Sequence, residues 1–71
     1  MTEEETVVAF GRKVRDIRQG KGITLEQFAL GLGIDPKHMG RIEQGKANPT
    51  LRVMVRIAEA LSVPFSTLLS E

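Results

Sequence analysis

The chain has no cysteine, one histidine and no apolar run near the ~18 residues that would cross a bilayer. Without cysteine there is neither a disulfide scaffold nor a thiolate metal site, which fits a reducing compartment. A lone histidine makes no metal site. With no paired carboxylates on a common face either, nothing assembles a nucleophile–base pair, so no catalytic residue and no enzyme is expected. The glycine-rich pieces GKG and GLG lack the spacing of phosphate loops. No stretch alternates with period two, so no strands are expected, and there is no internal repeat or low-complexity segment. The acidic start MTEEET is unlike a signal peptide. These absences leave one cytoplasmic domain over residues 1–71, its acidic start at 1–5 expected to fray. No membrane, metal, cofactor or small-molecule ligand is implied.

Seventy-one residues allow one small core, since a chain this short buries only ~60% of its unfolded surface. The net charge is +1, but it is unevenly spread. Glu3, Glu4 and Glu5 stand at the start and Glu71 is last, so ten bases face five acids between residues 6 and 70. A basic body with an acidic fringe suits a partner with phosphates, and equally suits a solvated surface of mixed charge.

What is abundant is helix punctuation. Thr24, three residues ahead of Gln27, has the form of a capping box, and Ile23 with Phe28 has the spacing of a hydrophobic staple. Asp35 followed by Pro36 is a second helix start, eleven residues on. Gly33 lies between the two helices and Gly45 is a left-handed stop for the second. Two short helices joined by a tight corner have the geometry of a helix-turn-helix.

On either side the period is helical. Thr2 and Glu5 repeat the capping-box pattern, so a first helix starts there or at Thr6. Its apolar face is Val7, Phe10, Val14 and Ile17, and Gly20 with Gly22 ends it. Gly11 inside it costs ~1 kcal/mol against alanine unless a neighbouring helix needs the close approach, which is expected. The second helix buries Leu25, Phe28, Ala29 and Leu32, and the third buries Met39 and Ile42. After the loop GKANPT, Thr50 caps a fourth helix with the stripe Leu51, Met54, Val55, Ala58 and Leu61, its arginines Arg52 and Arg56 outside. Pro64 opens a short fifth helix with Phe65, Leu68 and Leu69. The fold class is therefore all-α.

These residues resemble the Cro/C1-type (XRE-like) helix-turn-helix family, the lambdoid phage repressors and their bacterial relatives. The matching pieces are FGRKVRDIR, GIT before LEQFA, LGID, MGRIEQGKANPT, the LxxMxxIAEALxV pattern and FSTLL, nearly the whole chain. Within the family, FGRKVR and the MG before RIEQG are similar to the controller proteins of restriction–modification systems. The resemblance implies a compact five-helix, lambda-repressor-like domain, its helix-turn-helix at helices two and three. It also implies a homodimer that regulates transcription from double-stranded operator DNA of two half-sites, with residues 36–44 in the major groove.

By position, the resemblance places base contacts at Pro36, Lys37, His38, Gly40 and Arg41. Lys37 and Arg41, four apart on one helix face, can both donate to guanine O6 and N7, Arg41 with two parallel bonds. His38 can read a base, touch a phosphate or lie half-buried. Gly40 marks either close backbone approach or a helix flaw held by packing. Phosphate contacts fall to Thr24 and Gln27 at helix two, and to Lys46, Asn48 and Thr50 after helix three, helped by the positive end of helix four. One departure stands out: the family commonly has a glutamine where this chain has Leu25, so a weakened clamp is expected. Arg18 and Glu43 match a family ion pair tying helix one to the end of helix three. Phe65, Leu68 and Leu69 complete the monomer core, form the dimer seam, or do both. The alternative is an antitoxin-like or anti-regulator-like interaction module with weak or no DNA binding, since Leu25, Pro36 and Gly40 offer no side-chain hydrogen bond.

Overall fold

A computed structural model describes residues 2–69 as five helices: α1 Glu3–Gly20, α2 Leu25–Leu32, α3 Pro36–Glu43, α4 Leu51–Leu61 and α5 Phe65–Leu69. The starts follow from short polar side chains. Thr2 and Glu5 exchange bonds of 2.9 and 3.1 Å, and Thr24 and Gln27 exchange two of 3.1 Å, so both capping boxes are complete. The carboxylate of Asp35 accepts from the Lys37 and His38 N–H groups at 3.1 and 3.3 Å, with Pro36 opening the helix. Thr50 accepts from the Val53 N–H at 3.1 Å. Such a cap stabilises its helix by about 1 kcal/mol.

Of the two possible starts for α1, the chain takes Thr2. Glu3 to Glu5 form the first helical turn: the box takes up the Thr2 and Glu5 N–H groups, and the acids meet the positive end of the helix dipole. Met1 lies outside the described residues. The hydrogen bond from the Thr2 backbone N–H holds the Glu5 carboxylate below its ordinary range. Its contribution is therefore present at neutral pH and is lost as pH falls through that lowered value.

The first four helices all end the same way. Gly22, Gly33, Gly45 and Ser62 take positive φ of 72°, 69°, 74° and 58°. Each returns its N–H to the carbonyl three residues back, and the next residue returns its own five residues back: Ile23 to Arg18, Ile34 to Ala29, Lys46 to Arg41 and Val63 to Ala58. This is the Schellman arrangement, usually completed by an apolar residue at the last position. Ile23, Ile34 and Val63 supply it, each packed against the core. Lys46 does not.

The core joins Phe10 and Val14 of α1, Phe28, Ala29 and Leu32 of α2, Met39 and Ile42 of α3, Ile57, Ala58 and Leu61 of α4, and Leu68 of α5. Two expected stripes shift. Leu25 is only half-buried. On α4 the buried line runs through Ile57, Ala58 and Leu61 with Met54 and Val53 at its margin, while Leu51 and Val55 are 63% and 39% exposed. At 100° per residue, Leu51 and Val55 lie roughly a quarter-turn or more away from that line.

Helices α1 and α3 meet backbone to backbone, and Gly11 is the reason. A Cβ there would stand 2.3 Å from the Ile42 carbonyl oxygen and 2.7 Å from that of Glu43. Gly45 also lies close to α1: a Cβ there would stand 2.9 Å from the Val8 Cα. By contrast, a Cβ on Gly31, also helical, meets nothing within 4 Å. One substitution should therefore have opposite signs at two helical glycines. Gly31→Ala should stabilise by about 0.5–1 kcal/mol through helix propensity, and Gly11→Ala should destabilise by at least about 1–3 kcal/mol through overpacking. Urea unfolding of the two variants reads both signs.

Candidate nucleic-acid interface

Helix α3 rests on the core through Met39 and Ile42, which leaves Lys37, His38 and Arg41 exposed and Pro36 and Gly40 half-buried. Lys37 and Arg41 stand about one turn apart on the outer side. The expected pair of long donors is therefore present on a face that owes nothing to packing. His38 is exposed rather than half-buried, which closes one of its three readings.

Gly40 is turned elsewhere. A Cβ there would lie 3.5 Å from the Leu25 Cδ2, an ordinary contact, and that is its nearest neighbour. Leu25 thus covers the position where α3 has no side chain. The leucine that cannot grip a phosphate and the glycine that cannot read a base share one contact between α2 and α3. Beside Gly40, then, α3 has a leucine of α2 in place of a side chain of its own.

At the start of α2, Thr24 and Gln27 are occupied with each other. What remains for a phosphate is the Thr24 O–H, the Gln27 amide N–H groups and the backbone N–H of Leu25 and Glu26, which a helix start leaves without intrahelical partners. At the start of α4, the Thr50 oxygen accepts from Val53, and the N–H groups of Leu51 and Arg52 are similarly left over. Lys46 and Asn48 are exposed in the loop before it. These two helix starts flank α3 in sequence, each a place where backbone donors favour an anion.

The charges around the loop are mixed. A groove of about 450 Å³ is lined by Glu3, Glu4, Val7, Val8, Gly45, Lys46, Ala47 and Asn48. The acidic start of α1 therefore lies across from Lys46 and weakens the positive field there.

Beneath the corner sits the ion pair. Arg18 Nε donates to Glu43 Oε2 at 2.7 Å and Nη2 to Oε1 at 2.9 Å, while Nη1 donates to the Ile23 carbonyl at 2.8 Å. The two side chains are 8% and 5% exposed. The bond to Glu43 raises the Arg18 pKa above its ordinary value, so this charge persists at any working pH. Among the described residues no buried side-chain nitrogen or oxygen lacks a partner.

Two arginines make bonds that sequence reading missed. Arg56 of α4, read only as an outer residue, donates to the Leu32 carbonyl at the end of α2, where a cation suits the helix dipole. Arg41 Nη2 donates to the Lys46 carbonyl at 3.1 Å. In both cases the acceptor is a backbone carbonyl of another segment, for which no side-chain pattern exists. Leu68 is 1% exposed and belongs to the core, so its place in an outer seam is corrected; Phe65 is half-buried and Leu69 is 55% exposed.

A capped corner of two short helices, with exposed cations on the outer face of α3, defines a helix-turn-helix domain. The chain belongs to the Helix-turn-helix family, which it matches over residues 14–68. It is 35% identical over 57 residues to the HTH-type transcriptional regulator SutR of Escherichia coli (strain K12), covering 80% of this chain and 32% of that protein. The control protein C.MunI of Mycoplasma sp is 31% identical over 65 residues, 90% of this chain and 88% of its own. Among solved structures, the restriction-modification controller protein C.AhdI from Aeromonas hydrophila superposes with a TM-score of 0.83 at 32% identity, over 87% of this chain and 94% of that one. The chain thus spans about a third of SutR and most of each control protein. Its relatives are regulators, a family without enzymatic activity.

The ion pair sets a stability test. Glu43→Gln leaves the Arg18 charge buried with half its bonding lost, so unfolding free energy should fall by about 3–5 kcal/mol. A loss under about 1 kcal/mol in urea titration would show that the pair behaves as a surface contact.

Proposed function

We propose that this domain is a sequence-specific DNA-binding regulator of transcription. On this reading it acts in the cytoplasm as a homodimer on an operator of two half-sites, with α3 in the major groove. The observation that carries the reading is the exposed pair Lys37 and Arg41 on a helix whose other face is core, flanked by the starts of α2 and α4. Lys37 and Arg41 donate to guanine edges, His38 adds a third exposed donor, and Pro36 touches a thymine methyl or lets the backbone close in. The backbone N–H groups at the two helix starts, with Lys46, Asn48 and the Thr24 and Thr50 hydroxyls, hold phosphates. Gln27, closed into its box, is left with its amide N–H donors. The match to control proteins over most of their length supports a controller-like member of the family.

A second reading has its own support. Leu25 packs on Gly40, Gln27 closes the capping box, and Glu3 and Glu4 face Lys46, so several contact positions are spent elsewhere. That combination favours an interaction module with weak DNA binding.

A selection from random duplexes decides between them. The regulator reading expects an enriched site with two half-sites about one helical turn apart, and affinity falling steeply with salt. Lys37→Ala and Arg41→Ala should each cost about 1–3 kcal/mol and relax one base preference, while Lys46→Ala should weaken all sequences alike. No enriched duplex at any salt, together with a stable protein partner, sinks this reading in favour of the second.

On this reading the seam between copies forms on the outward apolar residues of α4 and α5. Leu51, Val55 and Leu69 are exposed on α4 and α5, beside half-buried Phe65. The variant Leu51→Glu with Leu69→Glu should sediment as a folded monomer and lose most operator affinity. A dimer that survives this change places the seam elsewhere.

A further inference from the structure

Helix α3 ends by the same backbone device as its neighbours, but its last position holds an exposed lysine where the others have core-packed Ile23, Ile34 and Val63. Something must replace the missing apolar anchor, or the chain leaving α3 is held by one backbone bond. Among the described residues, both hydrogen bonds made by the backbone of residues 46–48 run to Arg41. The Lys46 N–H donates to the Arg41 carbonyl at 2.8 Å, and Arg41 Nη2 donates back to the Lys46 carbonyl at 3.1 Å. Ala47 adds a partial seat on the core, while Lys46 and Asn48 stay in water.

We infer that Arg41 is a positioning residue as well as a base reader: its guanidinium fastens the 46–48 loop, so that reading a base and holding a phosphate are mechanically tied. This rests on the DNA-binding reading above. A guanidinium has five donors in a fixed fork. With one Nη2 hydrogen committed to the Lys46 carbonyl, the plane of the fork is set before DNA arrives, and the other four N–H donors remain for acceptors in the groove. The same bond fixes the carbonyl of the residue whose ammonium reaches a phosphate. Loss of the side chain therefore has two effects, one dependent on sequence and one not. The second is the signature, because a residue that only reads a base leaves non-cognate affinity to its charge alone.

The experiment compares Arg41→Met with Lys37→Met, which removes the same charge from the same helix face. In the free protein, NMR order parameters at 46–48 should fall from about 0.85 toward 0.6 in Arg41→Met and stay unchanged in Lys37→Met. On a scrambled duplex, Arg41→Met should bind about 2- to 10-fold more weakly than Lys37→Met, the range of one lost hydrogen bond. Adding Lys46→Met should then cost less in the Arg41→Met background than alone, since the loop is already released. Unchanged order in free Arg41→Met overturns the inference, and so does equal binding of the two variants to the scrambled duplex with an additive double variant. Failure of the DNA-binding reading looks different: the unaltered protein then binds no duplex, whatever the loop does.

Discussion

One arginine, almost removed from water, holds three segments at once. Arg18 gives two bonds to the carboxylate at the end of α3 and one to the carbonyl just before the cap of α2. The angle between α2 and α3 is therefore not set by their short connection alone. It is set from behind, by a planar group whose donors diverge at fixed directions. Gly11 makes this possible, since α1 must lie against the α3 carbonyls for the guanidinium to reach Glu43. Replacing such a pair with well-packed apolar groups is often neutral for stability, whereas removing one partner is costly. Its main effect here is to fix the register of the corner.

How far this could be seen in the sequence depends on the range of each interaction. The starts and stops were legible because the donor and acceptor lie within a few residues: Thr24 with Gln27, Asp35 with Lys37, Gly45 after the last turn. Arg18 with Glu43 was legible only through family resemblance, for they are far apart in the chain. The α4 stripe was read off-centre because eight of its eleven residues are apolar, so more than one line satisfies the helical period. Ile57, at 0% exposure, went unremarked for that reason. Leu25 and Gly40 were each legible as a lost contact, but that they meet is a matter of how α2 crosses α3, which no local pattern states.

The candidate interface divides between what is fixed and what is free. Thr24, Gln27, Asp35 and Thr50 spend their side chains ordering the helix starts, which leaves backbone N–H groups pointing outward in fixed positions. Such donors recognise an anion but no sequence. Lys37, His38 and Arg41 are exposed on α3, and on the proposed reading they carry the sequence information. The acids add a second division. In the chain they form a fringe ahead of a basic body; in space Glu3 and Glu4 face the loop of Lys46. The field at the loop is then weaker than the count of bases implies, and on the proposed reading more of the discrimination falls to α3.

On the proposed reading, that burden bears on the assembly that binds DNA. A good side-chain contact to a base edge discriminates by about 1–3 kcal/mol. Two principal donors per protomer give roughly 2–6 kcal/mol, whereas specific sites exceed non-specific ones by roughly 4–10 kcal/mol. On the proposed reading one copy reaches the lower part of that range, with His38 as the further exposed donor on α3. Enlarging α3 is not open, because its inner face is core and its end is closed against Val8 at Gly45. Doubling the face is open: Leu51, Val55 and Leu69 lie outside the core, and two copies related by a twofold axis present four principal donors. On the proposed reading, a domain this sparing with base contacts gains from a second copy, whose donors would carry discrimination further into that range.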